Sequence, residues 1–331
     1  LEGGGAEQNL IHIVQNIQRT LYDITLILGS KKGALLDQVP NDIAITDLGG
    51  QSFFNVFLGL RRYFVLKKPD IFVSSFHRFT FAGILAKMFS GSQVRLIVIE
   101  QTTPSKIYKT TRNLFRRMAA YVFLPFLIRF FYKRADLIIC VSNSVKDDLH
   151  SILKNNVRME VIYNPIVNDT MINKSKETLT EDQYIFEGAY PVVVAVGRLV
   201  KAKDYPTLLK AFRLVLNSMT ARLLVLGEGP EEKYLKDLVL ELKMYNNVVF
   251  AGFKKNPYKY ITHASVFTLS SEREGFGNVI VEAMALGVPV IATNDASGPG
   301  EIIENEVNGL LVATKNPVHL ADGIIKILKN P

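Results

Sequence analysis

The strongest constraint on what this chain can fold into is an alternation that runs from end to end and pauses once. Short apolar runs at residues 24–28, 43–45, 71–74, 96–99, 137–141 and 160–163 have the length and content of buried strands. Between them lie helical patterns, the first with Leu10, Ile13, Val14 and Ile17 at amphipathic spacing. A polar, irregular stretch over 168–189 breaks the rhythm. It then restarts with strand-like runs at 192–196, 223–226, 248–251, 266–269 and 288–292 and a last helix from about Pro317. Strands that are apolar throughout, separated by helices, predict parallel sheets covered on both faces. The expected architecture is therefore α/β: a Rossmann-like domain over 1–167, a linker over 168–189, and a second Rossmann-like domain over 190–331. Ligands in such sheets sit beyond the carboxyl ends of the strands. That puts the expected site in a cleft faced by both domains.

A chain of 331 residues with 48% hydrophobic content has material for two cores. Its single cysteine, Cys140, excludes a disulfide framework and any Cys-based zinc site, and its apolar surroundings predict a buried thiol. No apolar run approaches the roughly 18 residues of a membrane-spanning helix. The sequence opens at Leu1 on a glycine loop. We therefore expect a fragment lacking its first strand, with a C-terminal end that also reads as truncated.

The net charge of +8 is uneven, because residues 1–178 hold 23 Lys/Arg against 14 Asp/Glu and the remainder 16 against 17. The basic half should meet something anionic. Without a zinc-finger or RNP-type aromatic signature, nucleic acid is not the expected partner.

Chemistry concentrates where the run at 266–269 ends. Ser270 and Ser271 lead into a loop carrying Glu274, Gly275, Phe276 and Gly277, then a helix with Asn278, Val279 and Glu282 that closes at Gly287. The glycines let backbone amides approach a ligand, and a helix N-terminus favours anions. Glu282 sits in a helix apolar on nearly every face, where a lone carboxylate is costly unless hydrogen-bonded. Two ribose hydroxyls would satisfy it; a neighbouring backbone group or cation is the alternative. Upstream, Gly197, Arg198 and Lys203 leave the strand at 192–196. Fixed cations there suit a diphosphate leaving group. Lys201 reads as a solvated neighbour, and Asp204 as a cap for the next helix. No Asp-x-Asp occurs, and His77, His150 and His263 lack metal-ligand spacing, so neither a metal nor another cofactor is expected.

Glu274 and Glu282, with seven residues between them, resemble the E-x7-E motif of the family 4 retaining glycosyltransferases, and Arg198 and Lys203 resemble that family's R-x4-K element. The resemblance extends over most of the chain and is specific in the C-terminal half. It implies a GT-B fold, two Rossmann-like domains with parallel sheets facing across a cleft. It also implies transfer of a hexose or N-acetylhexosamine, with retention, from a nucleotide-diphosphate sugar, UDP-linked on family grounds, to a glycan or polyprenyl-linked acceptor.

Arg198, Lys203 and Glu274 are then the expected catalytic set. Glu282 would bind the ribose, with Gly275, Phe276, Gly277, Asn278 and Val279 around the sugar and diphosphate. Gly227, in the Gly-Glu-Gly turn after 223–226, would lie near the nucleotide, and Phe253 near the base; an ordinary turn and a core aromatic are the alternatives. Gly4 and Gly5 resemble the family's first loop facing the diphosphate, while Glu7 could equally be a first-turn acid favoured by the helix dipole.

The sequence departs from the family after the run at 96–99. Many members carry a histidine there, and this chain has Glu100 and Gln101. His77 reads as structural. Residues 112–134 combine Arg112, Arg116, Arg117, Arg129, Lys133 and Arg134 with many aromatics and no acid. That suits an anionic membrane surface, or a core helix with a basic edge. The expected location is cytoplasmic, peripheral on the inner face of the membrane. A GT-B-like epimerase and a non-catalytic nucleotide- or glycan-binding module stay open as alternatives. A nicotinamide dehydrogenase lacks its Gly-x-Gly-x-x-Gly turn.

Overall fold

The computed structural model describes residues 4–33, 35–107, 114–154, 157–188, 190–294 and 298–330. The chain divides into two compact units, Leu1–Pro165 and Ile166–Pro331. All strand pairs are parallel, as continuous apolar runs require.

The first unit runs α1 (Gly5–Asn16), β1 (Thr25–Leu28), β2 (Ala44–Asp47), α2 (Phe53–Lys67), β3 (Ile71–Ser74), α3 (His77–Ser90), β4 (Arg95–Glu100), α4 (Pro104–Ile107), α5 (Leu114–Tyr132), β5 (Leu137–Cys140), α6 (Asn143–Leu153) and β6 (Met159–Val161). β1 pairs with β2, and β3 to β6 form a second sheet in sequential order. Ser52 and Ser142 cap α2 and α6 by accepting from the amides of Asn55 and Val145. α1 turns Ile11 and Val14 into a small core with Leu26, Leu28 and Ile43. Only Val14 of the expected stripe is fully buried, because the inward face also carries Asn9 and His12. Burial and the nearby Glu100 charge push the Cys140 thiol up to about 12, which keeps it protonated.

The second unit contains α7 (Asp169–Ser175), β7 (Val192–Val196), α8 (Tyr205–Ser218), β8 (Arg222–Leu226), α9 (Glu232–Glu241), β9 (Val248–Phe250), α10 (Tyr258–Ile261), β10 (Val266–Leu269), α11 (Asn278–Ala285), β11 (Val290–Asn294), α12 (Pro299–Ile302), β12 (Leu310–Ala313) and α13 (Pro317–Lys329). Its six strands are ordered β12-β11-β10-β7-β8-β9. Alternate residues of each strand feed opposite cores. Val193, Ala195, Leu223 and Val225 meet Leu208, Phe212 and Leu320 on one face. Val192, Val194, Leu224 and Phe267 meet Ile261, Ile280 and Ala283 on the other. Phe212 is fully buried. Phe212→Ala should therefore cost about 3–5 kcal/mol of unfolding free energy by denaturant titration. A loss below about 1 kcal/mol would contradict this packing.

Two expectations are corrected here. The segment expected as a linker belongs to the second unit. Asn168 caps α7, and Met171, Leu179 and Ile185 enter the core beside α10. Lys254 and the Tyr260 hydroxyl both hold Asp182, at 2.6 and 2.9 Å. Three anchoring apolar residues among many polar ones gave no periodic signal. The strand β12 was also missed, because it is a short, half-exposed edge.

Candidate active site

In the second sheet β7 and β10 are neighbours, but the chain leaves β7 towards β8 and leaves β10 towards β11. Loops leaving the carboxyl ends of two such strands diverge and open a crevice, the usual ligand position in doubly wound sheets. The two glycine- and charge-bearing loops singled out from sequence are these two.

They are tied together. The Glu272 amide donates to the Ala202 carbonyl at 2.9 Å, and the Ser270 hydroxyl donates to the Lys203 carbonyl at 2.8 Å. The Lys203 ammonium meets Glu274 Oε1 at 2.5 Å, and the Ser271 hydroxyl donates to the same oxygen at 2.6 Å. Both charged side chains are largely covered, 22% and 15% exposed. Lys203 is thus engaged in the free protein, which differs from the expected pair of open cations. Arg198 is exposed and has no hydrogen-bond or ion-pair partner among the described residues. Asp204 stands at the start of α8 with φ of 45°, its carboxylate accepting from the Thr207 hydroxyl at 2.6 Å.

The neighbouring loops stack beside the first. Gly227 donates to the Gly252 carbonyl at 2.8 Å, and a Cβ on Gly227 would lie 2.1 Å from the Gly197 carbonyl oxygen. Only glycine fits that approach. The Phe253 amide donates to Glu228 Oε1 at 3.2 Å, and its ring is 44% exposed rather than closing the core. The Tyr205 hydroxyl donates to the Gly197 carbonyl at 3.0 Å.

Gly277, at φ 104°, starts α11, with Asn278 and Val279 in its first turn. Gly275 and Phe276 precede it, and the Phe276 ring is buried. Glu282 lies one turn further on and is 8% exposed. Among the described residues its carboxylate has no hydrogen-bond or ion-pair partner. Burial pushes its carboxyl up to about 7. The helix does bury a carboxylate, and among the described residues no cation compensates it.

The structure brings Gly197, Lys203, Gly227, Phe253, Glu274 and the start of α11 to one end of this sheet. Gly4 and Gly5 lie in the first unit. The Gly4 amide donates to Glu7 Oε2 at 2.9 Å, so Glu7 closes a capping box at the start of α1. Sequence reasoning gave no role to Ser271, Tyr205 or Glu228, whose side chains meet groups 3, 8 and 25 positions away, because no motif or periodicity marks such contacts. Arg112, Ser297 and Gly3 lie outside the described residues, as do the side chains of Arg116 and Arg117. Among the described residues no group of three or more His, Cys, Asp or Glu is arranged to hold a metal. No helix among them is long and apolar enough to cross a membrane.

The fold is a doubly wound sheet with a carboxylate-bearing helix and a Lys–Glu pair at its switch point, and the chain belongs to glycosyltransferase family 4. Residues 3–169 match the family described as Glycosyltransferase Family 4, and residues 176–331 match Glycosyl transferases group 1. Over 256 residues, 77% of this chain and 66% of the relative, it is 31% identical to N-acetylgalactosamine-N,N'-diacetylbacillosaminyl-diphospho-undecaprenol 4-alpha-N-acetylgalactosaminyltransferase of Campylobacter jejuni. It is 27% identical to N-acetyl-alpha-D-glucosaminyl L-malate synthase of Bacillus anthracis, over 74% of this chain and 61% of that protein. The matched stretches thus span under two thirds of both relatives. Anabaena HepE, solved with UDP and glucose, superposes with a TM-score of 0.77 at 22% identity, covering 99% of this chain and 87% of that one. That likeness shows the fold, GT-B.

Proposed function

We propose that this chain is a retaining glycosyltransferase. It moves a hexose or N-acetylhexosamine from a UDP-linked sugar to a hydroxyl of a glycan or polyprenyl-linked acceptor in cell-surface glycan assembly. The observation that carries this reading is Glu282, a buried carboxylate without a partner among the described residues, on the helix behind the switch-point loops. A vicinal diol supplies the two donors that would satisfy it. The C. jejuni relative is named for an undecaprenol-linked acceptor, and HepE was solved with UDP, which supports these classes of acceptor and donor.

In this reading the bond from the anomeric carbon to the diphosphate oxygen breaks, its electrons pass to the diphosphate, the acceptor oxygen bonds to the anomeric carbon, and the acceptor's proton goes to the departing diphosphate. Arg198 and Lys203 offset the growing charge, the role a metal fills elsewhere, so no metal is required. Glu274, held by Lys203 and Ser271, accepts from hydroxyls of the transferred sugar. Retention comes from family membership, and no nucleophile is assigned. The test is turnover of radiolabelled nucleotide sugars on membrane extracts, with a chelator in one arm. Transfer that survives the chelator is expected. Release of a 2-epimer in its place would favour the epimerase alternative, and nucleotide binding without turnover the non-catalytic module.

The acceptor class brings in the membrane, on whose cytoplasmic face the chain would work. Phe123, Phe126 and Phe130 on α5 are 62%, 63% and 42% exposed at i, i+3, i+7 spacing, so one helix flank presents three rings. Arg129, Lys133 and Arg134 accompany them, the Arg134 guanidinium lying 4.1 Å from the Phe130 ring centre. A basic, aromatic flank suits an anionic leaflet. The chain should float with phosphatidylglycerol vesicles at low salt and lose binding when Phe123 and Phe126 become aspartate. Failure to float would remove the membrane from the proposal.

A further inference from the structure

The first unit carries a polar cluster that the transfer reading leaves unused. At the carboxyl end of β4, Glu100 is 4% exposed and fully hydrogen-bonded. Its Oε2 faces His77 Nε2 at 3.0 Å and accepts from the Tyr132 hydroxyl at 2.8 Å. Its Oε1 accepts from the amide and hydroxyl of Thr102 at 3.3 and 3.2 Å. His77 follows the neighbouring strand β3, and its ring stacks on Phe81, with centroids 5.8 Å apart and planes at 7°. The imidazole is thereby fixed, yet its side chain stays 24% exposed.

Four donors satisfy the carboxylate, but the donors around it are not all used. His77 Nδ1 has no partner among the described residues. Ser75 Oγ and Gln101 Nε2, each within two residues of the pair, are buried without a hydrogen-bond partner. The Gln101 amide is oriented by its Oε1, which accepts from Asn9 Nδ2 at 3.2 Å. Buried unpaired polar atoms are rare and call for a partner. Those atoms sit at the carboxyl ends of two adjacent parallel strands, where such sheets bind ligands.

We propose that His77, Ser75 and Gln101 form a pH-dependent oxygen-recognising subsite in the first unit, with His77 Nδ1–H as its central donor and a sugar as its ligand. The imidazolium and the Glu100 carboxylate neutralise each other, so the site offers donors without net charge. That selects neutral oxygens, the hydroxyls and acetamido carbonyl of a sugar, over phosphate. The choice of a sugar rests on the transfer reading; the cluster does not. Among the described residues the titratable groups facing the imidazole are Glu100 on β4 and Tyr132 on α5, with Cys140 on β5 behind Glu100. Burial opposes the imidazolium, but the Glu100 charge and hydrogen bond outweigh it and raise His77 above its ordinary 6.5. The imidazolium donates from Nδ1 to an acetamido carbonyl, which can only accept; neutral His77 keeps its proton on Nε2 towards Glu100, and Nδ1 then no longer donates. Sugar affinity therefore falls as pH rises through the His77 midpoint, and bound sugar moves that midpoint up.

The test follows the full chain, labelled at its histidine ring nitrogens, by NMR. H77Q assigns the resonance, because glutamine keeps a donor near Nε2 but cannot titrate. The probes are the methyl glycosides of N-acetylglucosamine and N-acetylgalactosamine. The expected result is an upward shift of the His77 midpoint by about half a pH unit, roughly threefold in proton affinity. The matching pH-dependence of probe binding is lost in H77Q. If H77Q misfolds, Ser75→Ala, which removes an unpaired hydroxyl, should weaken probe binding while His77 still titrates. A His77 resonance indifferent to both probes, in a sample that still binds UDP, overturns this subsite and leaves the transfer reading intact. A responding His77 without UDP binding or turnover does the reverse.

Discussion

Replacing Glu282 by glutamine should stabilise the ligand-free chain at neutral and alkaline pH and at the same time weaken its grip on a nucleotide. The two effects share a cause. In the folded chain burial lifts this carboxyl from 4.5 to about 7. Between those values the folded protein holds a proton that the unfolded chain has released. Stability is therefore full below the ordinary value and is lost as pH rises through the window, by about 3 kcal/mol once pH passes 7. Glutamine does not ionise, so the Glu282→Gln chain should lack this decline. Denaturant melts at about pH 5 and about pH 8 measure it. A nucleotide diol donating to the ionised carboxylate works in the opposite direction. UDP affinity of the unmodified chain should rise with pH up to about 7 and then level. The amide loses charge-assisted hydrogen bonds, about 1.5–3 kcal/mol or roughly 10- to 100-fold in Kd, and loses the pH-dependence with them. A variant that binds UDP as well as its parent would remove Glu282 from the site.

The second large effect separates the two cations. Arg198→Ala and Lys203→Ala should each lower kcat by about 100- to 1,000-fold if both charges act on the departing diphosphate. KM should change less, because charge on the leaving group grows in the transition state. Their effects on the free protein should differ. Arg198 has no described partner, so its loss should leave the melting temperature unchanged. Lys203 is held by Glu274 at 2.5 Å, and its removal leaves a largely covered carboxylate with Ser271 alone. Lys203→Ala should therefore also lower the melting temperature, and adding Glu274→Ala should recover part of that loss without restoring turnover. Equal thermal effects of the two single variants would contradict the pairing. An Arg198→Ala chain with unaltered kcat would contradict the role given to the open cation.

The free-state pairing matters for how the site works. Lys203 reaches a diphosphate only by sharing or leaving Glu274. Glu274 takes both Lys203 and Ser271 on Oε1, so in the proposed reading Oε2 can meet a sugar hydroxyl and Oε1 joins it once Lys203 moves. Donor binding on this scheme exchanges one ion pair for two ligand contacts, which links recognition of the sugar to recognition of the phosphate. The first unit shows the same economy with opposite polarity. Glu100 is saturated by His77, Tyr132 and Thr102, so the imidazole is the part left open.

Much of this was written locally in the chain. Apolar runs of strand length recur because parallel strands bury both faces, so all but one strand could be located without coordinates. Glu282 was legible as a misfit because helical periodicity left it no polar face. Gly277 marked the start of α11 because only glycine reaches its φ of 104° cheaply. The segment at 168–188 was not legible, since Met171, Leu179 and Ile185 are anchors chosen by the shape of the core they enter, without a repeat to betray them.

Local order along the backbone dictates strands, helices and the burial of one awkward carboxylate, because these depend on neighbours a few positions away. Partnership does not. That Lys203 meets a glutamate 71 positions later, and that His77 leans on an acid from the next strand, follows from which strands lie side by side. Side-by-side order is set by packing of whole layers, a long-range choice that no short window of sequence contains.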